Sequence, residues 1–174
     1  MNNADEVMIV YSSKTGNTRA VAEGIARGLG ENARIVPVED APEGTTDVIL
    51  LGFWVDRGTA DAKSLAYIQK LEGRKVGLFG TLGAEPDSDH ARKTGEALTA
   101  LVAEKNACLG CFLCQGKIDP ALTEQFKTLP PNHPHAMNEA RMKRHLEAAR
   151  HPDQADIEQA LAACKAMLAN PRSA

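Results

Sequence analysis

Apolar runs and segments of helical period alternate along residues 7–114, joined by short connections. That alternation leaves few folds open. Strands linked through helical crossovers lie parallel, and right-handed crossovers place helices on both faces of the sheet. The first run is Val7–Tyr11. A helix is predicted over Asn17–Leu29, where Val21, Ala22, Ile25, Ala26 and Leu29 share one face and Gly28 and Gly30 mark the end. Further strands are predicted at 34–38, 48–54, 75–80 and 107–114, with a turn through Pro42-Glu43-Gly44. Helices are predicted at about 61–71 and 88–104, the second capped by Asp87 or Ser88. The expected class is α/β, a three-layer sandwich around a five-stranded parallel sheet. Such sheets bind ligands beyond the carboxyl ends of their strands, where strand order reverses. The turns at 12–18, 53–60 and 81–89 are therefore where chemistry is expected.

At 174 residues the chain has room for a full core, and its net charge of −3 comes without a basic stripe, so nucleic acid is not an expected partner. No apolar run approaches the roughly 20 residues of a membrane helix. The opening MNNADEVMIVYSS has neither a basic n-region nor a cleavage site. Four cysteines in such a chain are expected as reduced thiols, and the expected location is cytoplasmic. The C-terminal third reads differently. Residues 120–138 hold Pro120, Pro130, Pro131 and Pro134 and are expected as a loop at a rim. Helical patterns follow within 139–170, at about 139–149 and 155–168. In the last one Ile157, Leu161, Cys164, Met167 and Leu168 fall on one face. One domain is expected over 1–174.

The turn Ser12-Ser13-Lys14-Thr15-Gly16-Asn17-Thr18 opens directly into the first helix. A helix start offers unpaired N–H groups and the positive end of the dipole. The hydroxyls of Ser12, Thr15 and Thr18 are expected to add donors, so a phosphate ester is the ligand the turn suggests. Neither G-x-x-x-x-G-K-[ST] nor G-x-G-x-x-G stands here. Residues 28–33, GLGENA, fit G-x-G-x-x-A but follow a helix and read as its stop. Ser13, Thr15, Gly16 and Thr18 match [ST]-x-T-G-x-[ST], and Asn17 agrees with the commonest form. This turn resembles the FMN phosphate loop of the flavodoxin family, and the resemblance runs over roughly residues 5–115 in the same element order. It implies a flavodoxin-like doubly wound sheet of order 2-1-3-4-5, with FMN bound noncovalently. Lys14, at a variable motif position, is expected toward solvent.

The same resemblance places the isoalloxazine ring between two further loops. The first runs Phe53, Trp54, Val55, Asp56, Arg57, Gly58, Thr59, Ala60 and Asp61, with Phe53 to Thr59 as the contacts. Trp54 either covers the ribityl–phosphate end or packs in the core, with Val55 to Gly58 along the ring. Gly58 is either a turn glycine or a backbone carbonyl acceptor for the reduced flavin's N5–H. Arg57 is read as a cation near the ring or as a docking charge. The second loop begins Thr81, Leu82, Gly83, Ala84 and carries no aromatic, so one ring face is expected to be open or covered by another segment, with 130–135 offered for that cover.

Cys108, Cys111 and Cys114 form C-x-x-C-x-x-C without a fourth ligand at related spacing, so they read as small buried hydrophobes. His133 and His135 lack carboxylate or thiol neighbours for a metal site. His151-Pro152-Asp153 reads as the start of the last helix. The function expected is an FMN electron carrier, monomer or weak dimer, serving a redox partner protein. Residues 52–63, 78–91, 112–120 and 132–137 resemble short flavodoxin-family proteins of anaerobic bacteria, some of which accompany bilirubin reductase. Two alternatives share the fold: an FMN-dependent NAD(P)H or quinone oxidoreductase, and a flavin-free binding module.

Overall fold

The structure is a computed structural model and describes residues 6–42, 44 and 46–170. The opening five residues, Glu43 of the expected turn and the last four residues lie outside the described residues. Strands β1 (Val7–Tyr11), β2 (Ala33–Pro37), β3 (Val48–Asp56), β5 (Lys75–Leu82) and β6 (Ala107–Gln115) form a parallel sheet in the order β2-β1-β3-β5-β6. A two-residue strand, β4 (Thr59–Ala60), pairs back on β3 as an antiparallel hairpin. Setting β4 aside, the order is the expected one.

Alternation along each strand sorts side chains to two faces, the period-2 pattern of extended chain. Met8, Val10, Ile49, Leu51, Phe53, Val76 and Leu78 face one core, which helices α2 (Ala62–Lys70) and α3 (Asp89–Ala103) cover with Tyr67, Ile68, Leu98 and Val102. Val7, Ile9, Val48, Leu50 and Phe79 face the other, covered by α1 (Asn17–Leu29) and, near the chain's end, α6 (Gln154–Ala169). Gly28 does not stop α1. It lies inside the helix because Leu161 of α6 packs onto it: a Cβ there would fall 2.2 Å from Leu161 Cδ2. The stop is Gly30, at φ +73°.

Three boundaries move the expected loops. β3 continues to Asp56 because Val55 and Asp56 pair with β4, and β5 continues to Leu82 because Leu82 pairs with Gln115 of β6. In β6 a bulge near Gly110 puts Cys108 and Cys111 on the same face, where strict alternation separates them, while Cys114 faces the other core. Residues 120–138 are not all loop: α4 (Pro120–Lys127) starts there, with Asp119 accepting from the Ala121 N–H at 2.9 Å and Pro120 in the first turn. Proline breaks helix interiors but suits a first turn, where its missing N–H has no helical acceptor. A fifth helix, α5 (Glu139–Ala148), starts at Asn138, whose side chain accepts from the Arg141 N–H.

Candidate functional site

Segments 13–18, 54–57, 81–83 and 116–119 meet at the carboxyl end of the sheet around a cleft of about 660 Å³. That volume falls inside the roughly 300–1,000 Å³ usual for a small-ligand site. Ser13, Lys14, Thr15, Asn17, Thr18, Trp54, Val55, Asp56, Arg57, Thr81, Leu82 and Gly83 line it, together with the far wall contributed by α4 and the loop after it.

The floor is the turn into α1. Gly16 takes φ +96°, a left-handed conformation that turns the chain so the next N–H groups point out of the helix start. Ser13 Oγ accepts from the N–H of Gly16 at 3.1 Å and of Arg19 at 3.3 Å, which leaves its own hydroxyl proton free to donate. Among the described residues the N–H groups of Asn17 and Thr18 have no partner. These donors and the exposed Thr15 make an anion cradle of low formal charge.

Two hydroxyls expected in that cradle are held elsewhere. Ser12 is buried, does not line the cleft, and donates to Asp61 Oδ1 at 2.7 Å. Thr18 Oγ1 lies 3.3 Å from the Phe53 carbonyl and 2.9 Å from Thr81 Oγ1, so its hydroxyl ties the floor to the ends of β3 and β5. Phe53 is fully buried and contributes only that carbonyl. Asp61, the last residue of the expected loop, is 2% exposed and organises the wall from inside instead of lining the cleft. It accepts from Ser12, from the N–H and hydroxyl of Ser64, and weakly from the Trp54 N–H at 3.4 Å, while its own N–H donates to the Trp54 carbonyl at 3.0 Å.

Trp54 is half-buried and belongs to neither core; its indole faces the cleft with Lys14 Nζ 5.6 Å from the ring centroid. Lys14 is exposed, as expected, and also reaches Asp119 at 3.8 Å across the cleft mouth. Asn17 Nδ2 donates to the Lys117 carbonyl at 2.8 Å, a second tie between the floor and the 116–119 segment. Past Trp54, the chain turns at Arg57 (φ +51°) and Gly58 (φ +82°), the two-residue hairpin turn that needs positive φ at both positions. The Gly58 carbonyl lies 3.2 Å from Thr94 Oγ1, whose single proton is shared with the His90 carbonyl at 2.9 Å, and neither Gly58 nor Thr59 lines the cleft. The carbonyl expected to meet a ligand is thus turned toward α3. Arg57 is 95% exposed, where solvent and salt screen its charge. Ala84 lies just beyond the lining.

The wall opposite Trp54 comes from the segment read as loop. Leu122 and Phe126 of α4, Ile118 and His135 face the cleft. The Phe126 and His135 rings stack at 5.7 Å and 19°. Arg141 of α5 holds this stack: it donates to the carbonyls of Pro134 and Ala136 and lies 5.5 Å over the Phe126 ring. His145 of α5 pairs with Thr123 at 2.7 Å, and burial followed by the charges of Arg141 and Arg144 lowers its pKa. His133 accepts from the His135 N–H at 3.1 Å. The 81–84 turn has no aromatic; an aromatic wall comes instead from some 40 residues further along the chain.

The other singled-out groups are engaged away from the cleft. Cys111, Cys114 and Cys164 have thiols pushed up to about 12 by burial. Asp153 and Asp156 form a capping box at the start of α6, with His151 Nδ1 at 2.6 Å from Asp156.

A model of the Flavodoxin domain family matches residues 8–165. The chain is 31% identical over 169 residues to the flavodoxin-like domain-containing protein BilS of Clostridioides difficile, covering 92% of this chain and 95% of that one. It is 30% identical over 168 residues to BilS of Clostridium symbiosum, covering 86% and 88%. Oxidised flavodoxin 1 of Bacillus cereus superposes with a TM-score of 0.58 over 96% of this chain and 99% of that one, at 18% identity, a likeness of fold.

Proposed function

The chain belongs to the flavodoxin domain family, and on that premise we propose that it is an electron carrier that holds FMN in this cleft and serves a partner reductase. The flavin, when bound, supplies the redox chemistry at its ring. The chain's own residues bind, orient and shield it. The observation that carries the reading is the pair of unpartnered N–H groups at Asn17 and Thr18, set at the floor of a cleft with Trp54 on one side and Phe126–His135 on another.

In this reading the N–H groups of Asn17 and Thr18, the hydroxyls of Ser13 and Thr15, the backbone at Gly16 and the Lys14 ammonium hold the phosphate. Trp54, Val55, Asp56, Arg57, Thr81, Leu82 and Gly83 would hold the ring, and the Phe126–His135 stack would supply the aromatic wall that the 81–84 turn lacks. Ser12, Phe53, Gly58, Thr59 and Ala84 act behind this shell, by fixing the loops. Among the described residues no helix is long and apolar enough to cross a membrane, and we take the protein to work in the cytoplasm as a monomer or weak dimer. Likeness to the BilS proteins over most of the chain supports a dedicated partner; the sequence resemblance points to a bilirubin reductase.

Titration of FMN into flavin-free protein tests the reading. Binding is expected at about one FMN per chain with micromolar affinity or better, accompanied by quenched flavin fluorescence. Absence of binding at that concentration overturns it. Steady oxidation of NAD(P)H by the loaded protein alone would make the chain an oxidoreductase in its own right.

A further inference from the structure

Helix α5 has two different faces. Its inner residues serve the cleft: Arg141 clamps the Phe126–His135 stack, His145 pairs with Thr123, and Ala148 is fully buried. Its outer face has no such task. Leu146 is 64% exposed, against 39% for Leu122, the other exposed large hydrophobic among the described residues. Lys143, three residues before Leu146, shares its side of the helix. Lys143 and Arg144 are exposed and form no ion pair among the described residues. Arg150, just past the helix, and His151 share one acid, Glu147, at 3.6 Å each. The wider segment 116–152 holds six Lys/Arg and four Asp/Glu, a net +2, in a chain of net −3, so the remainder carries −5.

We propose that the outer face of α5 is the docking surface for the redox partner, and that the partner meets it with an acidic patch around an apolar pocket that takes Leu146. The proposal rests on the electron-carrier reading. Charge complementarity selects the occupant. A bare leucine between Lys143 and Arg150, its helical neighbours three before and four after, fits an acidic protein surface, and the −5 carried by the rest of the chain turns such a partner toward this segment and away from the body. Continuity with the cleft gives the site its use. The helix that would bind the partner also holds the cleft wall through Arg141, so docking brings the partner beside that wall of the cleft.

The test uses the FMN-loaded full chain with purified bilirubin reductase as the electron acceptor. Wild type is compared with the Lys143→Glu/Arg150→Glu double variant and with Leu146→Ser. The double variant is expected to raise the reductase's KM for the flavoprotein about tenfold at low salt with kcat kept, and to converge on wild type near 0.5 M salt, where the Debye length is only about 4 Å. Leu146→Ser is expected to raise KM about tenfold at every salt concentration, because burial of a leucine is not screened. FMN affinity and reduction by dithionite stay at wild-type values in both, since none of the three residues lines the cleft. KM values within about twofold of wild type overturn the docking site alone. Failure of wild-type protein to support the reductase at all overturns this proposal, while the electron-carrier reading stands or falls on the FMN titration. Binding of wild type to phosphatidylglycerol vesicles, abolished by the double variant while turnover is unchanged, assigns the patch to a lipid surface and overturns it as well.

Discussion

Replacing Asp61 by alanine tests whether the cleft wall is built from the inside. The carboxylate is 2% exposed and accepts from Ser12 at 2.7 Å, Ser64 Oγ at 2.8 Å and the Ser64 N–H at 3.2 Å. Alanine removes the N-cap of α2, worth about 1 kcal/mol. It also leaves the hydroxyls of Ser12 and Ser64 buried without an acceptor, at about 1 kcal/mol each. The Trp54 N–H, at 3.4 Å, adds little. Together these predict a loss of about 3 kcal/mol, or about 6–12 °C in melting temperature for a chain of this size. Asparagine keeps the shape, the cap and an acceptor oxygen, so Asp61→Asn is expected to lose only about 1 kcal/mol. Thermal melts of flavin-free protein read both, and FMN titration reads whether loosening Trp54 reaches the cleft. A melting temperature for Asp61→Ala within about 2 °C of wild type would refute the reasoning. So would an asparagine variant as damaged as the alanine one, because the charge and not the bonds would then be what matters.

Three other outcomes follow from the same structure. Phe126→Ala removes the ring stacked on His135; FMN affinity is expected to fall about tenfold and the bound flavin to become more fluorescent, whereas Phe126→Tyr keeps both near wild type. Burial pushes the thiols of Cys111, Cys114 and Cys164 up to about 12, so Ellman's reagent at about pH 8 is expected to reach no more than Cys108 quickly in native protein, and all four thiols after unfolding. The Asp156 hydrogen bond raises the His151 pKa above its ordinary value of 6.5, so the stability it adds is full below about pH 6.5 and fades as pH rises through the folded value; the difference in melting temperature between wild type and His151→Asn should be larger at about pH 5.5 than at about pH 8.5.

The reach of the sequence depended on which physical signal each residue carries. Residues 7–10 and 48–53 are continuous apolar runs because a strand buried on both faces must be, and that pattern is local, so the strands were legible; their order followed only from the resemblance carried by the 13–18 turn. The turn at 13–18 was legible for the same reason: its glycine, its hydroxyls and the helix that follows are neighbours in the chain. What a hydroxyl bonds to is not local. Nothing in residues 12–18 says that Ser12 faces Asp61, 49 positions away, or that Thr18 faces Thr81, 63 positions away, and a donor aimed at protein looks identical in sequence to one aimed at a ligand. Asp61 itself reads as an ordinary helix cap, since capping has the same signature whether the carboxylate is exposed or buried.

The C-terminal third was hidden by ambiguity of a different kind. Pro120 marks a loop or a helix's first turn, and only Asp119 before it, accepting from the Ala121 N–H, decides for the helix. Once α4 is a helix, Leu122 and Phe126 fall four residues apart on one side and both reach the cleft. The missing aromatic of the 81–84 turn and the unexplained Pro- and His-rich segment are then one fact. A ring face left bare by one loop is matched by a wall built in another, and that wall needs Arg141 to hold it. A helix recruited to hold a wall must turn its other side outward, and on α5 that side carries Lys143 and Leu146, with Arg150 just past its end. Cofactor shielding and partner docking are therefore coupled through one short helix, so a substitution that unfolds α5 should impair both, while one confined to its outer face should impair docking alone.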